Sequence, residues 1–380
     1  MPNMMDYLAW RGDLPLTVAP FTPVDGLILA SLSYNDLGPR AEGGEGMLLR
    51  DLAPLLPLKA QTGNQYFLQW RALLYAMADT VRFGAIRLHD YVNLVDDERN
   101  IQFSAVTADL PDGQVCVCFR GTDNSLVGWR EDFTMAFESP VPAQMEALTY
   151  LERTALRTDH DLLAVGHSKG GNLASYAAAH AAPETQRRIR GVYSFDGPGL
   201  DDATLKSEGY GRISGVVHSI IPQSSVVGLL LAHHPNYTVV RSTAVSLLQH
   251  DAFTWQLAGP RFEELGDVDA GSQLMDETLH EWLCQAPPAQ RRVFVETLFT
   301  LLEATGAATL RDLSADRLRS ALAILSATRE VDAETGRMIG RLISSFVTIG
   351  MGNLLDAATR KPRQLLEQAL HHHDNTPQEE

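Results

Sequence analysis

Cysteine is scarce in this chain: Cys116, Cys118 and Cys284 are the three thiols among 380 residues. Three cysteines cannot form a fully paired disulfide framework, and their spacing offers no metal-ligand pattern. Cys116 and Cys118 lie two apart in an apolar run, so on a strand both face the same side and serve as small buried hydrophobes. Basic residues are also short, with 31 Lys and Arg against 47 Asp and Glu and a formal net charge of −16. That balance repels phosphate backbones, and the few clustered bases, Arg360, Lys361 and Arg363, do not offset it. Long apolar runs are missing too. Residues 1–25 lack the basic start and apolar stretch of a secretory signal, and they carry Asp6, Arg11 and Asp13. The best membrane candidate, residues 342–355, is about half the length a bilayer requires. The absences argue against a disulfide scaffold, a nucleic-acid binder and a transmembrane protein, and imply a soluble cytoplasmic one.

The remaining composition is that of an ordinary globular chain, 45% hydrophobic and 21% charged. Residues 1–60 are punctuated by Pro15, Pro20, Pro23, Pro39, Pro54 and Pro57 and read as loop-rich, with a short helix over 23–33. Apolar spacing predicts a helix over 67–82. Residues 101–109 alternate as a strand, and Asp112-Gly113 turns the chain into a second strand over 114–120. Helix over 143–157, strand over 162–165, helix over 171–182, and strands over 191–195, 215–221 and 237–242 follow. Strands alternating with helices imply an α/β fold with a mostly parallel sheet flanked by helices. Beyond residue 261 only helical patterns are apparent. The expected division is a catalytic domain over 1–260, a helical C-terminal region over 261–370 and a disordered tail over 371–380. The C-terminal helices would cap the sheet or form a homo-oligomer surface rather than grip a membrane.

The chemistry concentrates at residues 162–180, LLAVGHSKGGNLASYAAAH. Gly166-His167-Ser168-Lys169-Gly170 is a G-x-S-x-G pattern between an apolar strand and a small-residue helix. Such an elbow places the serine on a sharp strained turn, where residues two before and two after must be small. The helix that follows aims its N-terminal N–H groups at the same point. A second signal is Cys118–Thr122, CFRGT, followed by Trp129 and Asp132. A Gly turn at that strand end could bring the N–H of Thr122 beside the N–H of Lys169 as an oxyanion hole.

These motifs, F-R-G-T with a later Trp and Asp and then G-H-S-x-G-G, are similar to those of class 3, fungal-type lipases. The segment PFTPVDGLILASLSYNDL, the elbow GHSKGGNLA, and the later SFDGPG and QHDAFTW more closely resemble a bacterial family of Mbeg-like α/β-hydrolases. The resemblance covers roughly residues 5–260 and implies an α/β-hydrolase fold with esterase or lipase chemistry; it supplies no substrate.

A serine needs a base, and α/β-hydrolases supply it later in the chain. His180 lies at the far end of the elbow helix, His218 inside a strand where a buried structural role is expected, and His233 and His234 before Pro235. His250, shortly before Trp255, matches the lipase pattern and is the favoured base. The acid is open. Where the resemblance implies an aspartate before Val-Pro, this chain reads Ile221-Pro222-Gln223-Ser224-Ser225, with no acid. Asp196, ending the strand after the elbow helix, is favoured over Asp251, Asp201, Asp202 or a Ser–His dyad. Lys169 either lends charge to an oxyanion or anionic substrate, or faces solvent. The apolar run 226–232 reads as core rather than as a wall for an acyl chain. No cofactor or metal is implied. The function expected is hydrolysis of a small-molecule or lipid ester, and the competing reading is a catalytically inactive hydrolase-fold scaffold.

Overall fold

The computed structural model describes residues 2–57, 65–96, 101–122, 135, 139–225, 227–228, 237–244 and 246–268. Trp129, Asp132, His233, His234, Cys284, most of the 226–232 run and the expected C-terminal helices lie outside these residues.

A nine-stranded sheet forms the centre. Its strands are β1 (Met47–Leu48), β2 (Arg87–Asp96), β3 (Ile101–Asp109), β4 (Val115–Phe119), β5 (Leu162–His167), β6 (Ile189–Phe195), β7 (Val217–Pro222), β8 (Tyr237–Val240) and, after a small hairpin of β9 (Leu257–Ala258) and β10 (Arg261–Phe262), β11 (Glu264–Leu265). The order across the sheet is β1-β2-β3-β4-β5-β6-β7-β8-β11. Strands β4 to β8 are parallel, while the pairs on either side are antiparallel. This is the mixed sheet of the α/β-hydrolase type. Strand pairing therefore continues past residue 260, which the sequence pattern did not suggest, because β11 has only two residues and no periodicity to read.

The parallel strands advance in one direction, so right-handed crossovers must lay their helices on one face. The packing agrees. Helices Pro142–Arg157 and Lys169–His180 and the short Glu208–Ile213 share one cluster with Val115, Val117, Phe119, Leu162 and Ala164. The alternate residues Cys116, Cys118, Leu163 and Val165 point to the other face. Among the described residues no crossover helix packs on that face; the N-terminal segment covers it, together with Trp255, Leu257 and Phe262. Helices α1 (Met4–Arg11) and α2 (Pro23–Leu32) and the longer Gln65–Ala78 bury Tyr7, Leu27, Ile28, Leu73 and Leu74 there. The segment is more helical than its prolines suggest. Asn3 and Thr22 open the two helices with capping boxes closed by Asp6 and Asp25, and Pro23 takes the first helical position.

One ion pair fastens this layer. Arg82 donates from Nε and Nη2 to the two carboxylate oxygens of Asp25, each at 2.6 Å, and both side chains are fully buried. Its remaining N–H groups reach the carbonyls of Leu14, Ala19 and Pro20, and the Tyr7 hydroxyl donates to Asp25 at 3.0 Å. Burial, reinforced by Asp25, pushes that hydroxyl up to about 12, so it remains a donor. Among the described residues, no helix is long and apolar enough to cross a membrane.

Candidate functional site

Ser168 joins β5 to the helix Lys169–His180 with φ 59° and ψ −134°, a region few non-glycine residues occupy. Its flanking glycines are required by close packing. A Cβ on Gly166 would stand 2.1 Å from the backbone of Gly170, and one on Gly170 would stand 2.2 Å from the carbonyl oxygen of Phe119. The turn is held by the Ser168 N–H on the Phe195 carbonyl (2.9 Å) and the Gly171 N–H on the Ser168 carbonyl (2.8 Å). The serine is almost fully buried at the C-terminal edge of the parallel strands, the edge where open α/β sheets place their ligands.

The RGT turn arrives at the same point. A Cβ on Gly121 would lie 3.0 Å from Ser168 Cβ, 2.5 Å from the His167 carbonyl oxygen and 2.2 Å from the Tyr34 hydroxyl, so only glycine fits. Buried Thr122 follows directly. Lys169 is the first residue of the helix, and its side chain is buried rather than solvent-facing, with Nζ donating to the Gln102 carbonyl at 3.2 Å. The solvent-facing expectation for Lys169 is thereby corrected: the antiparallel β3–β4 pairing brings the start of β3 to this end of the sheet.

Asp196, the residue after β6, also sits at positive φ, 48°. It is buried, and its Oδ2 meets His250 Nδ1 at 2.7 Å. Its Oδ1 accepts from the Ser225 hydroxyl (2.5 Å) and the Gly228 N–H (3.1 Å). Ser225, in the segment where the lipase resemblance implies an acid, thus serves Asp196 instead. Of the other acids considered, Asp251 caps the turn 252–254, Asp201 caps 202–205 and accepts from Ser139, and Asp202 pairs with Lys206.

His250 ends the turn Ser246–His250, which is anchored on both sides. Gln249 accepts the Ser224 N–H and donates to Ser224 Oγ and the Ala244 carbonyl, while Trp255 Nε1–H donates to the Gln249 carbonyl. The His250 carbonyl is bonded to His167 Nε2 at 2.8 Å. The other histidines stand elsewhere: His180 bonds Thr204, and His218 is exposed and stacks on Tyr193 at 4.7 Å. Burial of His218 is therefore not observed, because its position on β7 faces outward.

Sequence reasoning missed Tyr34 and His167 as parts of the site. Tyr34 Oη meets His167 Nδ1 at 2.8 Å, and its ring stacks on Trp70, which packs on Phe253. The tyrosine lies 133 residues from its partner, and no local pattern marks such a pair.

An α/β-hydrolase sheet with a strained serine, a buried carboxylate and a histidine at one edge defines the class of the molecule. Within that class, the Mbeg1-like family model matches residues 77–300, more than half of the chain, and the chain belongs to that family. Among solved structures it is similar to a triacylglycerol lipase from Penicillium expansum, at 15% identity over 47% of this chain and 76% of the other, with a TM-score of 0.30. It is also similar to the Rhizomucor miehei lipase–propeptide complex, at 14% identity over 58% and 68%, with a TM-score of 0.34. No curated protein matches the chain.

Proposed function

We propose that this protein is a serine hydrolase that cleaves carboxylic esters through an acyl-enzyme on Ser168. The observation that carries the reading is the 2.7 Å bond between His250 Nδ1 and buried Asp196, beside a serine held at positive φ. Asp196 occupies Nδ1 and orients the ring, leaving Nε2 for the Ser168 hydroxyl.

In the proposed cycle, Ser168 Oγ attacks the ester carbonyl while His250 Nε2 takes its proton. The oxyanion forms against the backbone N–H groups of Lys169 and Thr122, with the dipole of the helix Lys169–His180 behind it. Collapse of the tetrahedral species expels the alcohol, which receives the proton from His250. Water, deprotonated by the same nitrogen, then releases the acid and restores the serine. The substrate is a small-molecule or lipid ester. Against the alternative of an inactive scaffold, which the lack of an acid after Pro222 favours, stands the bond of Asp196 to His250, which supports Asp196 as the acid. The test is hydrolysis of p-nitrophenyl esters of graded acyl length. Asp196→Asn should retain the fold and lower kcat by about 10⁴-fold, because the amide favours the wrong tautomer of His250. An Asp196→Asn protein as active as wild type would remove the acid from the scheme.

A further inference from the structure

The mechanism above leaves His167 unused, although it lies inside the elbow and is almost fully buried. Each of its ring nitrogens is engaged, Nδ1 with the Tyr34 hydroxyl and Nε2 with the His250 carbonyl, both at 2.8 Å. A carbonyl can only accept, so Nε2 must carry the proton. Burial, with the His250 ring alongside, pushes His167 well below the usual histidine range and keeps it neutral. Nδ1 is then bare, and the Tyr34 hydroxyl donates to it. The result is a directional chain from Tyr34 O–H to Nδ1 and from Nε2–H to the backbone of His250.

Each end of the chain is fixed. Tyr34 follows α2 and stacks on Trp70 at 4.7 Å and 10°, and its hydroxyl also abuts Gly121 of the RGT turn. The His167 and His250 rings lie 4.6 Å apart between centroids. A cation on His167 would oppose the positive charge that His250 acquires when it takes the serine proton.

We propose that His167 is the positioning residue of this site: held by Tyr34, its Nε2–H grips the carbonyl of His250 and sets where the imidazole stands between Asp196 and Ser168. The proposal rests on the hydrolase reading for its catalytic consequence, but not for its geometry. It assigns to the N-terminal layer a second task besides covering the sheet, since the strut begins there.

The test uses the full chain as wild type, His167→Gln, His167→Leu and Tyr34→Phe. Glutamine keeps an N–H near the Nε2 position, and leucine removes it at similar bulk. The rate of Ser168 phosphonylation by a fluorophosphonate should fall roughly 10- to 100-fold in His167→Leu, the scale of a displacement of about 1 Å. In His167→Gln it should stay within about threefold of wild type, and Tyr34→Phe should fall between the two. Melting curves establish that each variant is folded when its rate is read. Leucine reacting as fast as wild type, or glutamine as slow as leucine, would overturn the proposal. A second measurement is independent of reactivity. Nitrogen-15 histidine NMR should show His167 as the neutral Nε2–H tautomer at neutral pH. The Nδ1–H resonance of His250 should persist in His167→Gln and broaden in His167→Leu. The opposite tautomer, or a His250 resonance indifferent to leucine, would refute the strut. If these NMR results hold while wild type does not react with the probe, the hydrolase reading fails and the positioning stands.

Discussion

Replacing Arg82 with methionine should be among the most damaging single changes outside the site. The guanidinium is fully buried, holds both oxygens of Asp25 at 2.6 Å, and satisfies the carbonyls of Leu14, Ala19 and Pro20. Methionine fills much of the volume but leaves the Asp25 carboxylate buried, with only Tyr7 and Thr22 to donate to it. Removing one partner of a buried pair costs about 3–5 kcal/mol. In a domain of this size each kcal/mol lowers Tm by roughly 2–4 °C, so Tm should drop by about 6–20 °C. Urea unfolding of wild type, Arg82→Met, Asp25→Asn and the double variant measures both the loss and the coupling. The double variant should lose less than the sum of the singles, by about 0.5–3 kcal/mol, because no charge is left unpaired. An Arg82→Met loss under about 1 kcal/mol, or strict additivity, would refute the assignment of the clamp.

Two further predictions concern other parts of the molecule. Gly166→Ala would drive a methyl group to within 2.1 Å of the Gly170 backbone; a destabilisation of about 1–3 kcal/mol, with Ser168 displaced and unreactive, is expected from unfolding and labelling measurements. His89 stands between Asp90 (2.9 Å) and Asp109 (3.0 Å), and although burial disfavours its cation, the two carboxylates raise its affinity for the proton. A raised folded-state value stabilises fully below the unfolded value of about 6.5 and is lost as pH rises through the folded one. The stability gap between wild type and His89→Asn should therefore be larger at about pH 6 than at about pH 9, and a gap that grows with pH would reverse the assignment.

What the sequence reveals depends on how local the cause is. The Asp112-Gly113 turn and the alternating residues 101–109 are read correctly because register and turn are set by neighbours. The elbow is legible for the same reason, since Gly166, Ser168 and Gly170 constrain one another within five residues. Strand β2 escapes notice because a bulge between His89 and Val92, with Asp90 at φ 53°, breaks its alternation. Helix α1 is missed although Asn3 and Asp6 form a capping box, because prolines dominate the surrounding segment. The pairing of His250 with Asp196 spans 54 residues, and the Tyr34–His167 contact spans 133. Such contacts follow from sheet order, which brings β5, β6 and the 246–250 turn to one edge, and no spacing rule encodes that order. The sequence leaves Lys169 open between site and solvent because a charged residue is normally solvated; here β3 runs antiparallel and offers a carbonyl within reach, which excludes the solvent-facing alternative.

Whether Ser168 is an activated nucleophile with His250 as its base is read by peptide-level mass spectrometry after fluorophosphonate treatment. The wild type should carry a single phosphonyl adduct on Ser168, Ser168→Ala none, and His250→Ala should react far more slowly. A folded wild-type protein that carries no adduct on Ser168, or one that labels equally fast in His250→Ala, would contradict that assignment.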